Sequence, residues 1–298
     1  MSVFGRLLVT ALPLVPKFVV GRVASRYVAG ETLDDALRTV KALNDIGAMA
    51  TLDILGEEVQ AREKATWAVD EYVRAFETLR DRRLDSNMSI KLTLLGLKID
   101  ENFCLDNVRR IAATAKACGN FVRIDMEDRS TTDATLRIYK TVHAEHGNMG
   151  IVLQAYMRRT PRDIADLPAD KPNVRICKGI YIEPRDTAWK GHDTVRQAYL
   201  GALEKLLAAG IYVGIATHDE FLACGATALL DRYQTPRDRY EFQMLLGVDP
   251  ELRRILIAQG HRLRVYVPYG ADWYPYSIRR LRENPEVATH VMRAMFGR

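Results

Sequence analysis

An α/β architecture, a (β/α)8 TIM-type barrel behind an N-terminal helical extension, follows from three features of the sequence. Eight short apolar stretches, each running into a polar or charged residue, are spread along nearly the whole chain: 49–55 (MATLDIL), 88–94 (MSIKLTL), 121–126 (FVRIDM), 150–156 (GIVLQAY), 174–179 (VRICKG), 212–218 (YVGIATH), 240–246 (YEFQMLL) and 263–268 (LRVYVP). Segments with helical patterning separate them. The 298 residues suffice for one barrel of ~250 residues and an extension. Such barrels carry their chemistry at the carboxyl ends of the strands, which marks Glu57, Lys91, Asp125, Gln154, Lys178, His218, Gln243 and Tyr266 as candidates.

Residues 1–47 read as a helical arm. The run 7–16 (LLVTALPLVP) has about half of the ~20 residues a membrane helix needs, and no clear small-x-small cleavage site follows it. Its apolar stripe (Leu7, Leu8, Ala11, Leu12, Val15) suits packing on the barrel, on a partner or on a lipid surface. Helix 31–42 places Leu33, Ala36, Leu37 and Val40 on one face, with acids in its first turn. The barrel domain, with the C-terminal helices, covers 48–298. Its helices are expected at 57–80, 103–118, 130–146, from 160, and at 193–209, 221–233 and 250–259. Ser-Thr-Thr-Asp (130–133) is a capping run, and Gly119, Gly147, Gly210 and Gly260 are terminators. A last helix starts near Asp272 and is broken by Asn284-Pro285. The strands, rich in Val, Ile, Leu and Met, are expected to be buried on both faces. Lys91 and Asp125 are then costly exceptions that can partner each other, structurally or catalytically.

A net charge of +5 and 27% charged residues are ordinary for a globular chain and describe solubility and steering. No basic run interleaved with aromatics points to nucleic acid. Cys104, Cys118, Cys177 and Cys224 form no CxxC pair, which reads as a reduced, cytoplasmic protein. GxGxxG and GxxxxGK[ST] are absent. His143 and His146 lie three apart with no third ligand nearby, so no metal site is expected.

The segment after strand eight, 266–283 (YVPYGADWYPYSIRRLRE), is the most unusual. Tyr276, Arg279, Arg280 and Glu283 share a helical face. Adjacent guanidiniums bind a carboxylate with planar, bidentate geometry, and neighbouring tyrosines wall a small pocket. A solvated basic helix is the plain alternative. Arg175, Lys178 and Gly179 end strand five, and Thr217 and His218 end strand six, where either pair can meet a phosphate. A Schiff-base lysine at Lys91 or Lys178, and a non-catalytic barrel that binds through its arm, are the rival readings.

Together, SIKLTLLGL (89–97), VRIDME (122–127), QAYMRRT (154–160), VRICKGIY (174–181), ATHDE (216–220), EFQMLLG (241–247) and YSIRRLRE (276–283) resemble the bacterial, monofunctional proline dehydrogenase family, in order and across the whole barrel. The resemblance implies oxidation of L-proline to Δ1-pyrroline-5-carboxylate on FAD, with electrons passed to a quinone. It also gives the arm a role in peripheral contact with the inner face of the membrane. By motif, it implies that Arg279 and Arg280 clamp the proline carboxylate while Tyr266, Tyr276 and Tyr181 wall the ring. Lys91 and Asp125 form a charged floor, Glu57 gates the site by pairing with an arginine of the last helix, and Glu283 orients that helix. Gln154, Arg175, Lys178, Gly179, Thr217 and His218 hold FAD. Two departures bear on substrate selectivity: Ile180, where a small residue is expected, and Asp219, where some members have asparagine.

Overall fold

The computed structural model describes residues 24–277 except 171 and 275, together with residue 21. Eight parallel strands close into a barrel in sequential order. They are β1 (Met49–Ile54), β2 (Ser86–Ile90), β3 (Val122–Ile124), β4 (Met149–Gln154), β5 (Asn173–Cys177), β6 (Tyr212–Ala216), β7 (Tyr240–Leu245) and β8 (Leu263–Tyr269). β8 pairs with β1 from Met49↔Arg264 to Ile54↔Tyr269 and seals the cylinder. All eight expected strands are present.

Helices α1 (Leu33–Asp45), α2 (Arg62–Asp81), α3 (Glu101–Ala117), α4 (Thr132–His146), α5 (Thr160–Ala165), α6 (His192–Ala208), α7 (Glu220–Arg232) and α8 (Pro250–Ala258) surround it. Helix α1 starts at a capping box: Thr32 accepts from Asp35 N while the Asp35 carboxylate accepts from Thr32 N. Its apolar stripe (Leu33, Ala36, Leu37, Val40, Leu43) is buried against the barrel. Helix α2 starts at Arg62 and not at 57, because Gly56 (φ +151°) and Glu58 (φ +55°) hold the chain in a left-handed loop first. The 130–133 run makes no side-chain cap; Thr131 is the N-cap residue without one, and the Thr131 and Thr132 hydroxyls turn back to the Asp128 carbonyl.

The strands are buried on both faces, as expected, but the two faces differ in character, and the reason is pleating. One set of alternate residues (Leu52, Ile54, Met88, Ile90, Ile151, Leu153, Ile176, Ile215, Phe242, Val265) joins the continuous apolar core beneath the helices. The other set (Asp53, Ser89, Arg123, Arg175, Glu241, Gln243, Arg264, Tyr266) points into the barrel, where Arg175 and Tyr266 bond across intervening strands and Arg264 pairs with Glu241 of the neighbouring strand. The barrel is therefore lined by a polar network, a costly arrangement wherever a member is left unsatisfied, as Asp53 Oδ2 and Arg123 Nε are.

Candidate active site

At the amino-terminal end of the barrel, Arg264 Nε donates to Glu241 Oε1 at 2.8 Å and its Nη1 donates to the Ala50 carbonyl at 2.6 Å. Burial alone raises the Glu241 carboxyl, but Arg264 outweighs it and holds the group down at about 2. Arg123, fully buried, donates to Asn173 Oδ1 at 2.6 Å, and Gly150 on β4 leaves it room: a Cβ there would stand 3.0 Å from Arg123 Nη1.

Toward the carboxyl ends, the network changes partners. Arg175 Nη1 donates to Asp125 Oδ1 at 2.7 Å, Nη2 donates to Ser89 Oγ at 3.1 Å, and Nε donates to Gln243 Oε1. Tyr266 OH donates to Asp125 Oδ2 at 2.7 Å and accepts from Lys91 Nζ at 3.2 Å. Lys91 makes its short ion pair with Asp53 of β1, and Asp125 Oδ2 lies 3.5 Å away. Lys91 and Asp125 are thus brought together, but each has a nearer partner: Asp53 for the lysine, Arg175 for the aspartate. Neither sits inside a strand; they stand one residue past β2 and β3, at the rim. Burial pulls Lys91 down, and the two carboxylates more than restore its charge. Burial raises Asp125 too, but Arg175 and Lys91 keep it below the usual carboxylate range. Asp53 is the counter-case: its complete burial outweighs Lys91 and leaves the carboxyl raised, with Oδ2 buried and without a hydrogen-bond partner.

Around the rim, Gln154 Nε2 donates to the Glu127 carbonyl at 2.8 Å, and Glu127 itself is buried, accepting from Thr93 N at 3.0 Å and from the Thr93 hydroxyl. Burial raises the Glu127 carboxyl in spite of those bonds. Lys178 Nζ donates to Asp219 Oδ2 at 2.6 Å, and Arg196 of α6 grips the same carboxylate through two 2.8 Å bonds. Arg196 and then Lys178 outweigh burial and depress Asp219 strongly. The Thr217 hydroxyl accepts from Asp219 N at 3.0 Å, and His218 Nε2 accepts from Leu245 N at 2.7 Å. His218 therefore carries its proton on Nδ1 when neutral.

The proline dehydrogenase family model matches residues 36–293. The chain belongs to the proline dehydrogenase family. Proline oxidation in proline catabolism is its activity. Proline dehydrogenase 1 of Bacillus subtilis is 38% identical over 91% of this chain and 90% of its own length. Proline dehydrogenase of Deinococcus radiodurans is 39% identical over 91% of this chain and 89% of its own. In fold alone, the proline utilization A protein (PutA) of Bdellovibrio bacteriovorus, solved after inactivation by N-propargylglycine, superposes with a TM-score of 0.82 at 23% identity. The match covers 92% of this chain and 34% of that one.

Against the residues singled out for a proline dehydrogenase, the geometry is selective. Lys91, Asp125, Arg175 and Tyr266 form one cluster; Gln154, Lys178, Gly179, Thr217 and His218 line the adjoining rim. Tyr181 stands on the loop after β5, where its carbonyl accepts from Tyr156 OH at 3.1 Å. Gly179 has φ +107°, and a Cβ there would lie 2.2 Å from the Tyr156 ring, so the glycine serves close packing within the protein. Ile180 is 42% exposed. Tyr276 is not at the ion cluster; it is buried with Val28, Leu55 and Trp273, where the arm meets the last segment. Glu57 lies exposed on the β1–α2 loop. Arg279, Arg280 and Glu283 lie outside the described residues.

Asp53, Ser89, Glu127 and Arg196 belong to the site's framework and were not singled out in the sequence. Asp53 had a readable signal: it is the lone charge in 49–55, in phase with Thr51 on the strand. Arg196 had none, since a basic residue in the first turns of an amphipathic helix is ordinary.

Proposed function

We propose that the protein oxidises L-proline to Δ1-pyrroline-5-carboxylate with FAD as the hydride acceptor and a quinone as the final one. The carrying observation is the Asp53–Lys91–Asp125–Arg175 chain at the strand ends, with Tyr266 bonded into it. FAD fits the donor set of this chain. Arg175 spends three of its five N–H groups inside the described network, which leaves two for a ligand. Lys178 is only partly buried, and Gln154, Thr217 and His218 continue the polar arc on β4 and β6. These residues with Gly179 would hold the cofactor. Bound FAD supplies the two-electron acceptor that no side chain provides.

The protein's own part is orientation and charge. Arg279 and Arg280 take the proline carboxylate, Glu283 orients their helix, and Glu57 pairs with an arginine there to close the site. Tyr266 and Tyr181 wall the ring, with Tyr276 packed behind on the arm. Lys91 and Asp125 form a floor of fixed charge. Proline loses its ammonium proton before the hydride leaves the carbon beside nitrogen, so turnover rises toward alkaline pH. The arm is read as a peripheral contact on the cytoplasmic face of the membrane, near the quinone pool; no helix among the described residues is long and apolar enough to cross a bilayer.

The deciding test is an anaerobic titration of the purified protein with L-proline while its visible spectrum is recorded. A yellow protein that bleaches with proline and not with hydroxyproline is expected. A protein that stays colourless after incubation with FAD overturns the cofactor reading. Arg280→Lys separates the carboxylate clamp: KM for proline rises steeply while flavin stays bound, and an unchanged KM sinks the assignment.

A further inference from the structure

Gln243 stood out in the sequence as a strand-end residue without a role. In the barrel it lies behind Arg175. Its Oε1 accepts from Arg175 Nε, and its Nε2 donates to Glu241 Oε1 at 2.6 Å, which in turn accepts from Arg264 Nε at 2.8 Å. The amide has one allowed orientation. If it were flipped, its NH2 would face the donor-only guanidinium and its oxygen would face the ionised Glu241 carboxylate. The Glu241–Arg264 pair therefore sets which end of Gln243 meets Arg175.

The bond from Gln243 to Arg175 spans a strand. Arg175 is on β5, Gln243 on β7, and β6 lies between them. Gly214 of β6 pairs in register with Arg175 on one side and Glu241 on the other. A Cβ at Gly214 would stand 2.5 Å from Gln243 Nε2 and 2.9 Å from Cδ. No left-handed backbone explains a glycine here, since its φ is not in the positive range. Space for the amide does explain it.

We infer that Gln243 and Gly214 are positioning residues: Gly214 opens the passage through which Gln243 reaches across β6 and fixes the Arg175 guanidinium by its Nε–H. With Nε held there, Nη1 is committed to Asp125 and Nη2 to Ser89, so the guanidinium plane has one setting. The consequence for flavin rests on the cofactor reading above; the setting of Arg175 does not.

The test uses the full chain loaded with FAD: wild type, Gln243→Met, Gly214→Ala and the double variant Gly214→Ala/Gln243→Ala, with Gln243→Ala as its background. Three readouts are taken. These are the Arg175 Nε–H resonance, assigned by its loss in Arg175→Lys, the spectrum and reduction potential of bound flavin, and the melting temperature. In Gln243→Met and Gly214→Ala the protected Nε–H signal is lost and the potential shifts, with flavin still bound and turnover down about tenfold, the worth of one charged hydrogen bond. Gly214→Ala adds nothing further in the Gln243→Ala background, where the amide it would strike is gone. A lowered melting temperature with the Arg175 signal and potential unchanged would show a merely structural glutamine and overturn the proposal. So would a Gly214→Ala effect equally large in both backgrounds. If Gly214→Ala does not fold, Gln243→Met decides alone. A wild type that binds no flavin would remove the cofactor reading, and the Nε–H signal would still decide this one.

Discussion

Removing the charge of Asp53 tests the central network most directly. Lys91 is 7% exposed and Asp53 is fully buried, so their ion pair has little water to fall back on. In Asp53→Asn the lysine keeps only Asp125, 3.5 Å away and already committed to Arg175 and Tyr266. Breaking one partner of such a buried pair costs ~3–5 kcal/mol. The amide can still accept from Lys91, and the carboxyl of Asp53 is itself disfavoured by burial, which places the loss at the lower end, ~3 kcal/mol. At ~2–4 °C per kcal/mol for a chain of this size, the melting temperature falls by about 6–12 °C. The assay is urea unfolding at pH 7.5 of wild type, Asp53→Asn, Lys91→Met and the double variant. The double variant should lose less than the sum of the singles, with a coupling of at least ~1.5 kcal/mol, because no unpaired cation remains. A single-variant loss below ~1 kcal/mol with no coupling would refute the reasoning, and the pair would then be dispensable to the barrel.

Glu241 makes an acid-stability prediction. Its folded value of about 2 lies below the ordinary 4.5, so the stability it contributes is present above ~4.5 and is lost as pH falls through ~2. The shift corresponds to ~3 kcal/mol, and acid unfolding of Glu241→Gln should be flatter between those limits while the variant is already weaker at pH 7. Gly179→Ala combines a positive φ with a Cβ 2.2 Å from the Tyr156 ring, and a loss of ~2–4 kcal/mol is expected by calorimetry; a loss under ~1 kcal/mol would show that the loop yields freely. Trp273 Nε1 donates to Glu31 at 2.8 Å, tying the arm to the segment that leads into Arg279 and Arg280. On the proposed carboxylate clamp, Trp273→Phe should raise KM for proline several-fold with the melting temperature within a few degrees of wild type, and an unchanged KM would show that the tie has no bearing on it.

The sequence by itself determined the barrel and its eight strands, because strand and helix periods are local properties that 298 residues repeat eight times, and its ordered motifs carried the resemblance to the family. It also determined which residue types crowd the strand ends, since a charge in an apolar run is visible without coordinates. What it did not determine was who pairs with whom. Lys91 and Asp125 look like mutual partners by residue type, yet strand register sets Asp53 of the neighbouring β1 against Lys91, and the curvature of the barrel brings Arg175 of β5 to Asp125. Glu241 and Gln243, like Arg264 and Tyr266, alternate with apolar neighbours in the sequence, but only the closed cylinder decides which set faces the interior and which the helices. Gly179 and Gly214 make the same point. Each was open to a local or ligand-based reading, and each is decided by a side chain from another strand or loop that occupies the volume a Cβ would take. Pairing across a closed sheet is a long-range property, fixed by register and closure, and no local window of sequence contains it.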